Sequence, residues 1–245
     1  MKLAKTCLSI AAVTWLATSF AQAQMHPGQT GLNAAMAKLF GDFTAFSSKA
    51  DLKMLGEGNK ETMTLGMSFA LLEGKMKADV DLASLKSKEF PPEMFAQLKQ
   101  MGMDRMTTVL RPDKKSTLLI YPALQSYADL PMSQTDQAEL AGDYKVEKTK
   151  LGKETAAGHP CEKYQVTVRG SKGEKHDALV WNATDFQNFP VQIQMDEPDA
   201  KIVIVYKDVK LAKPDAKQFD VPAGYTKYDS VEKLMQGAMM KMFGK

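Results

Sequence analysis

Little in this sequence is arranged for covalent chemistry. It holds two cysteines, Cys7 and Cys161, and three histidines, His26, His159 and His176. Cys7 lies in an N-terminal apolar stretch that reads as removable, so no intrachain disulfide is expected and stability must come from burial. The remaining thiol, Cys161, is expected as a buried small residue at the start of a strand. The histidines form no H-x-x-x-H or H-E-x-x-H pair that would put two metal ligands on one helix face. A G-x-S-x-G elbow, a glycine-rich phosphate loop and a C-x-x-C pair are all missing. Triads are defined by geometry, not by spacing. No catalytic residue can be named, and the expectation is a protein that is no enzyme and needs no cofactor.

Charge of one sign is also missing. Lys and Arg number 32 against 29 Asp and Glu, a formal net charge of +3. The basic residues alternate with acids along the same segments, whereas a nucleic-acid footprint gathers them on one face. Long apolar runs are absent too. The best candidate, Leu8 to Phe20, is shorter than the roughly 20 residues a membrane-spanning helix needs. Lys2 and Lys5 precede it and Ala21-Gln22-Ala23 follows, which is the pattern of a signal peptide cleaved after residue 23. Cys7 is too early, and flanked wrongly, to be a lipid-accepting cysteine. The expectation is an exported, periplasmic protein whose residues 24–245 make a single domain, free to diffuse between membranes.

What is present is alternation. A helical stripe, Leu32, Ala35, Met36, Leu39 and Phe40, opens the exported part and ends near Gly41. Ala50, Leu52 and Met54 then alternate with Lys49, Asp51 and Lys53. The strongest signal follows: Met63, Leu65, Met67, Phe69 and Leu71 alternate with small or polar residues. Beyond Glu73-Gly74, Met76, Ala78, Val80 and Leu82 alternate with lysines and aspartates. Two such runs around a turn predict an antiparallel hairpin with one apolar face. Pro91-Pro92-Glu93 opens a helix whose stripe is Met94, Leu98 and Met101. Strands are expected at Arg105 to Arg111 and Leu118 to Tyr121, and Tyr127 to Pro131 reads as a connector. A brief polar helix runs from Ser133 to Leu140. Further strands come around the Gly170 to Gly173 turn, at Val191 to Met195 and at Ile202 to Tyr206. Val231, Leu234, Met235, Ala238, Met239 and Met242 stripe a last helix. Nine or ten short strands without βαβ spacing predict an α+β fold built on one large antiparallel sheet.

Two metal readings arise. Cleavage after Ala23 leaves His26 third from the new terminus, a nitrogen set that copper(II) accepts. The plainer alternative is an incidental histidine in an unstructured terminus. Methionine is abundant, 17 residues in all. Met101, Met103 and Met106, and again Met239, Met240 and Met242, resemble thioether clusters that copper(I) selects. Most methionines, however, fall in phase with an apolar face, where the flexible thioether serves as adaptable core or cavity lining.

Several segments together resemble a known superfamily. They are Val109-Leu110-Arg111-Pro112-Asp113-Lys114-Lys115 running on to Tyr121-Pro122, then Gly158-His159-Pro160-Cys161-Glu162-Lys163-Tyr164. Val180-Trp181 with Asp185 and Phe189-Pro190-Val191 follows, and Phe219-Asp220-Val221-Pro222-Ala223-Gly224-Tyr225 closes the series. In order and motif they are similar to exported bacterial proteins related to the LolA/LolB lipoprotein carriers. The resemblance implies a strongly curved antiparallel sheet, a half-open barrel, with N- and C-terminal helices and short helices on its concave face. It also implies a cavity for a lipid or for the acyl chain of a lipoprotein. Relatives of that fold act instead as envelope sensors through a protein partner. The carriers' arginine latch finds no match, since neither Arg105 nor Arg111 has its flanks.

An apolar sheet face too large to be filled by its own side chains suits a hydrophobic ligand. The residues expected to line that cavity are Leu65, Met67, Phe69, Met76 and Val80. The alternative is that helices fill the space and the same row is plain core.

Overall fold

The computed structural model describes residues 36–87, 91–170, 173, 175–196 and 201–243. The expected signal peptide, His26 and the start of the first helix lie outside the described residues. Strands run in chain order as β1 (Ala45–Leu55), β2 (Glu61–Leu72), β3 (Lys75–Asp81) and β4 (Lys86–Ser87). Helix α1 (Pro92–Gln100) leads to β5 (Arg105–Arg111), β6 (Ser116–Tyr121) and β7 (Ser126–Pro131), and α2 (Gln134–Ala141) ends this half. The second half is β8 (Lys145–Ala156), β9 (His159–Arg169), β10 (Lys175–Ala183), β11 (Pro190–Asp196) and β12 (Lys201–Lys210). A loop then reaches β13 (Thr226–Tyr228) and α3 (Val231–Phe243).

All 13 strands belong to one sheet, in the order β13-β7-β6-β5-β3-β2-β1-β12-β11-β10-β9-β8, with β4 beside β2. The first half folds outward from β1 as one meander and the second returns from β8 to β12. The two halves meet where β1 pairs antiparallel with β12. Among the described residues only the short β13–β7 pairing is parallel. Turn chemistry explains the hairpins. Glu73-Gly74 and Ala157-Gly158 each place two successive residues at positive φ, as a two-residue hairpin loop of right-handed twist demands. Two further turns share a pattern: Pro112 to Lys115 and Pro122 to Gln125 are single 3-10 turns ending on a left-handed residue. Each is followed by a buried serine, Ser116 or Ser126, that starts the next strand. Proline supplies the fixed φ of the turn's first residue in both.

Three differences from the sequence reading have physical causes. Tyr127 to Pro131 is not a connector but part of strand β7, which the second proline turn delivers onto β6. Residues 145–156 gave no alternation because nearly all of β8 is exposed at the sheet's edge. The described residues therefore hold 13 strands, where nine or ten were expected.

Both faces of the sheet are packed. On one, Phe40, Phe46, Phe189 and Tyr206 gather with Leu71, Met76, Ile193 and Ile204. Further along it, Leu98 of α1 and Val231, Leu234 and Met235 of α3 cover Leu119, Tyr121, Ala128 and Leu130. The opposite face is sealed locally by Phe219, Val221 and Tyr225 of the loop before β13, which lie over Leu72, Val109, Leu118 and Ile120. No helix of the described residues is long and apolar enough to cross a membrane.

Candidate functional site

Strand register decides where the five expected residues go. Met67 lies opposite Val80, Phe69 opposite Ala78 and Leu71 opposite Met76. Side chains alternate along a strand, so Leu65, Met67, Phe69, Met76 and Val80 all share one face. They do not share one environment. Met76 is buried in the core, 9% exposed. Phe69 is half-buried and stacks on Phe40 at 5.8 Å, with Phe46 at 5.6 Å. Leu65, Met67 and Val80 are only half-buried.

Sequence alternation could not supply the partners across the strands. Leu52 faces Leu65, Met54 faces Met63 and Ala50 faces Met67. Ile202 lies beyond Met54, and Met106 beyond Val80. Leu52, Met54, Met63, Met106 and Ile202 are half-buried like Leu65 and Met67. An apolar patch thus spans β12, β1, β2, β3 and β5, and it lies beside the closed aromatic cluster rather than inside it. Its composition is aliphatic and thioether. The aromatic rings Phe40, Phe46, Phe69, Phe189 and Tyr206 are engaged with one another at centroid distances of 4.8–6.3 Å.

A cleft of about 550 Å³ crosses the strands at this same register, and Met67, Val80 and Met106 are among the residues that line it. Leu65, Phe69 and Met76 are not. Most of its polar lining belongs to the opposite face of the sheet, because Lys49, Asp51, Ser68, Asp79 and Thr107 are the immediate chain neighbours of apolar-face residues. Gly66 also lines it, and a Cβ there would come within 3.1 Å of Ser84 Oγ. That hydroxyl accepts the Gly66 N–H at 3.1 Å and donates to the Asp81 carbonyl at 2.6 Å.

Other chemistry-bearing groups are quiet. Cys161 is buried, its thiol 3.3 Å from the His159 carbonyl, and desolvation pushes its pKa up, so it holds its proton. His159 Nδ1 meets Asp185 Oδ1 at 3.1 Å on the surface. Burial raises the Tyr121 hydroxyl to about 12 and that of Tyr206 further. Lys148 lies over the Tyr164 ring at 3.8 Å, and its partial burial lowers its pKa. Among the described residues no three His, Cys, Asp or Glu side chains are grouped to hold a metal ion.

The profile described as "Domain of unknown function (DUF4412)" matches residues 60–189, more than half of the chain. The chain belongs to the DUF4412 family. No curated protein matches it. Among solved structures, this DUF4412 chain is similar to the LolA superfamily protein NE2245 from Nitrosomonas europaea. Identity is 13% over 78% of this chain and 96% of that one, with a TM-score of 0.39. The Mycobacterium tuberculosis lipoprotein LppX is similar at 12% identity, covering 77% and 95%, with a TM-score of 0.37. The MucA/MucB complex of Pseudomonas aeruginosa is similar at 12% identity, covering 79% of this chain and 60% of that one, with a TM-score of 0.35. No residue role is transferred from them.

Proposed function

We propose that this DUF4412 chain is a soluble periplasmic binding or carrier protein for a lipid or another hydrophobic ligand, such as the acyl chain of a lipoprotein. The observation that carries this reading is the register-matched apolar patch around Leu65, Met67 and Val80, left half-open beside a closed core. A contiguous row of apolar side chains left only half-covered is a natural seat for an apolar ligand. In this reading residues 1–23 are a signal peptide and 24–245 one domain. The sheet curls as a half-open barrel with the patch on its concave side, and Phe69 and Met76 form the inner wall. Methionines at the mouth, Met54, Met63 and Met67, suit ligands of varied shape.

The test is direct. The exported protein, purified gently and sprayed intact, should carry a co-purifying lipid mass, and the stripped protein should take up a fluorescent fatty acid. Val80→Thr keeps the side-chain shape while making it polar, and should weaken uptake by about fivefold, the loss of roughly 1 kcal/mol of apolar contact. A stripped protein that folds but takes up no probe would sink the proposal.

A second reading has its own support. Strand β8 ends the sheet, and Val146 and Leu151 on it are 43% and 53% exposed. An envelope sensor or scaffold would present that edge to a protein partner. Photo-crosslinkers at Val146 and Leu151 in living cells should then give one defined adduct, while a smear of adducts counts against it.

A further inference from the structure

The β8 edge of the sheet gathers an excess of positive charge and exposed apolar side chains in one place. β8 and β9 together carry six lysines and arginines against three glutamates. That excess is as large as the formal +3 of the entire chain. The three glutamates are all engaged. Glu162 is held by Lys150 and by the Tyr164 hydroxyl, each at 2.5 Å. Glu154 meets Lys163 at 3.1 Å and the Trp181 indole N–H, and Glu147 is shared by Lys145 and Arg169 at 3.7 Å. Among the described residues this leaves Lys148 and Lys153 without a carboxylate in ion-pair range. Lys148 lies instead over the Tyr164 ring, where partial burial lowers its pKa. An anionic oxygen at that place would offset the cost of its charge.

Strand register puts these cations on one side of the edge. Val146, Lys148, Lys150 and Lys153 lie opposite Val168, Val166, Tyr164 and Glu162 in turn, alternate residues of β9 that share a face. Between Lys150 and Gly152 the register shifts, and the extra residue of this bulge is Leu151. Val146, Leu151 and Met240 are the exposed large apolar side chains among the described residues, so two of the three lie on β8 among its lysines. Such an edge is badly made for a partner strand. The bulge interrupts its row of backbone groups, and edge lysines oppose pairing. Apolar side chains set among lysines suit the boundary between lipid headgroups and acyl chains instead. There the lysine stems bury while their ammonium groups reach the headgroups.

We propose that the β8 edge docks on a bilayer surface of anionic phospholipid, with Val146 and Leu151 entering the headgroup–acyl boundary and Lys148 and Lys153 meeting lipid phosphates. The apolar patch lies at the far end of the same register. Lys150 and Tyr164 continue through Val180, Ile193, Ile204 and Leu52 to Leu65. The docked edge is thus six strand spacings, about 29 Å along the sheet, from Leu65. The docking stands whether or not that patch takes a ligand.

Sedimentation of the exported protein with phosphatidylglycerol vesicles, against phosphatidylcholine vesicles, tests this. Retention on the first alone is expected, and it should fall as salt is raised because the attraction is screened. Lys148→Gln with Lys153→Gln should weaken retention about tenfold, and Leu151→Ser about threefold. Both changes should leave the melting temperature unmoved, since all three side chains are exposed. In Leu151→Trp the added indole should shift its emission to the blue on the anionic vesicles alone, over a steady background from Trp181, which is 5% exposed. Equal retention on both vesicles, or retention that survives the loss of both lysines, would overturn the docking. Protein retained on neither vesicle would overturn it as well, and with one defined protein crosslink at Leu151 that outcome assigns the edge to a protein partner.

Discussion

Single residues decide more here than composition suggests. Arg111, with a side chain only 7% exposed, bonds Asp129 at 2.8 Å and Ser116 Oγ at 2.7 Å. Asp129→Ala would leave that guanidinium buried without its counter-charge. Destabilisation of about 3 kcal/mol is expected, read as a lower denaturation midpoint, and Arg111→Leu should be milder because no charge is then stranded. Gly237, inside α3, makes an opposite case to the usual propensity rule. Alanine there would gain about 1 kcal/mol of intrinsic helix preference. Yet its Cβ would fall 2.8 Å from ring atoms of Tyr228, on the strand that α3 packs against. Gly237→Ala should therefore lower the melting temperature, and Gly237→Ala with Tyr228→Leu should restore it. Cys161 sets a pH dependence whose sign is fixed by burial. Its folded pKa is raised from the ordinary value, so the native state favours the protonated thiol. The contribution to stability is complete below the unfolded thiol pKa and is lost as pH rises toward the folded one. Denaturation midpoints should accordingly decline above about pH 8.5, and Cys161→Ala should flatten that decline.

At the scale of elements, legibility in the sequence followed burial contrast. β2 and β3 have one covered and one wet face, so Leu65, Met67 and Phe69 alternate with small or polar residues and the hairpin could be read directly. β8 has no such contrast. Its stretch Lys145-Val146-Glu147-Lys148-Thr149-Lys150 is exposed throughout, and only its pairing with β9 makes it a strand. β7 was hidden for another reason: the Pro122 to Gln125 turn that starts it looks like an irregular link until it is set beside Pro112 to Lys115. The apolar row could be read along each strand, but not the register that joins Met54 to Met63 or Val80 to Met106. Register is a tertiary fact, set by turn lengths and by the bulge between Met54 and Leu55. The lysines of β8 also have a job at this scale. Charged side chains on an edge strand oppose pairing with another chain, and Val146 and Leu151 make this edge sticky. Lys148→Val with Lys150→Val should promote concentration-dependent aggregation, visible by light scattering, with little change in the monomer's circular dichroism.

At the scale of the whole molecule, the sheet's continuity rests on one pairing between distant parts of the chain. β1 lies between β2 and β12, and its partners in β12 are more than 140 positions away: Ala50 faces Tyr206 and Leu52 faces Ile204. The family match, residues 60–189, begins after β1 and ends before β11. Cut to that segment, the chain keeps β2 to β7 on one side and β8 to β10 on the other, with no strand between them. The first piece loses β1, which covers one edge of β2, and also Phe40 and Phe46; the second loses Ile193 and Ile204 from its apolar face. Each would expose a long apolar edge and half a core, and cooperative folding needs the entire core. The 60–189 fragment alone should therefore show broad, non-cooperative melting and bind a dye for exposed apolar surface. Residues 36–243, which restore β1, β11 and β12 and keep the covering loop and α3, should recover a sharp transition. A cooperative 60–189 fragment would mean that the two halves are independent folding units and that β1–β12 only docks them. In that case the half-open patch, whose Leu52, Met54 and Ile202 come from β1 and β12, would be a seam between units.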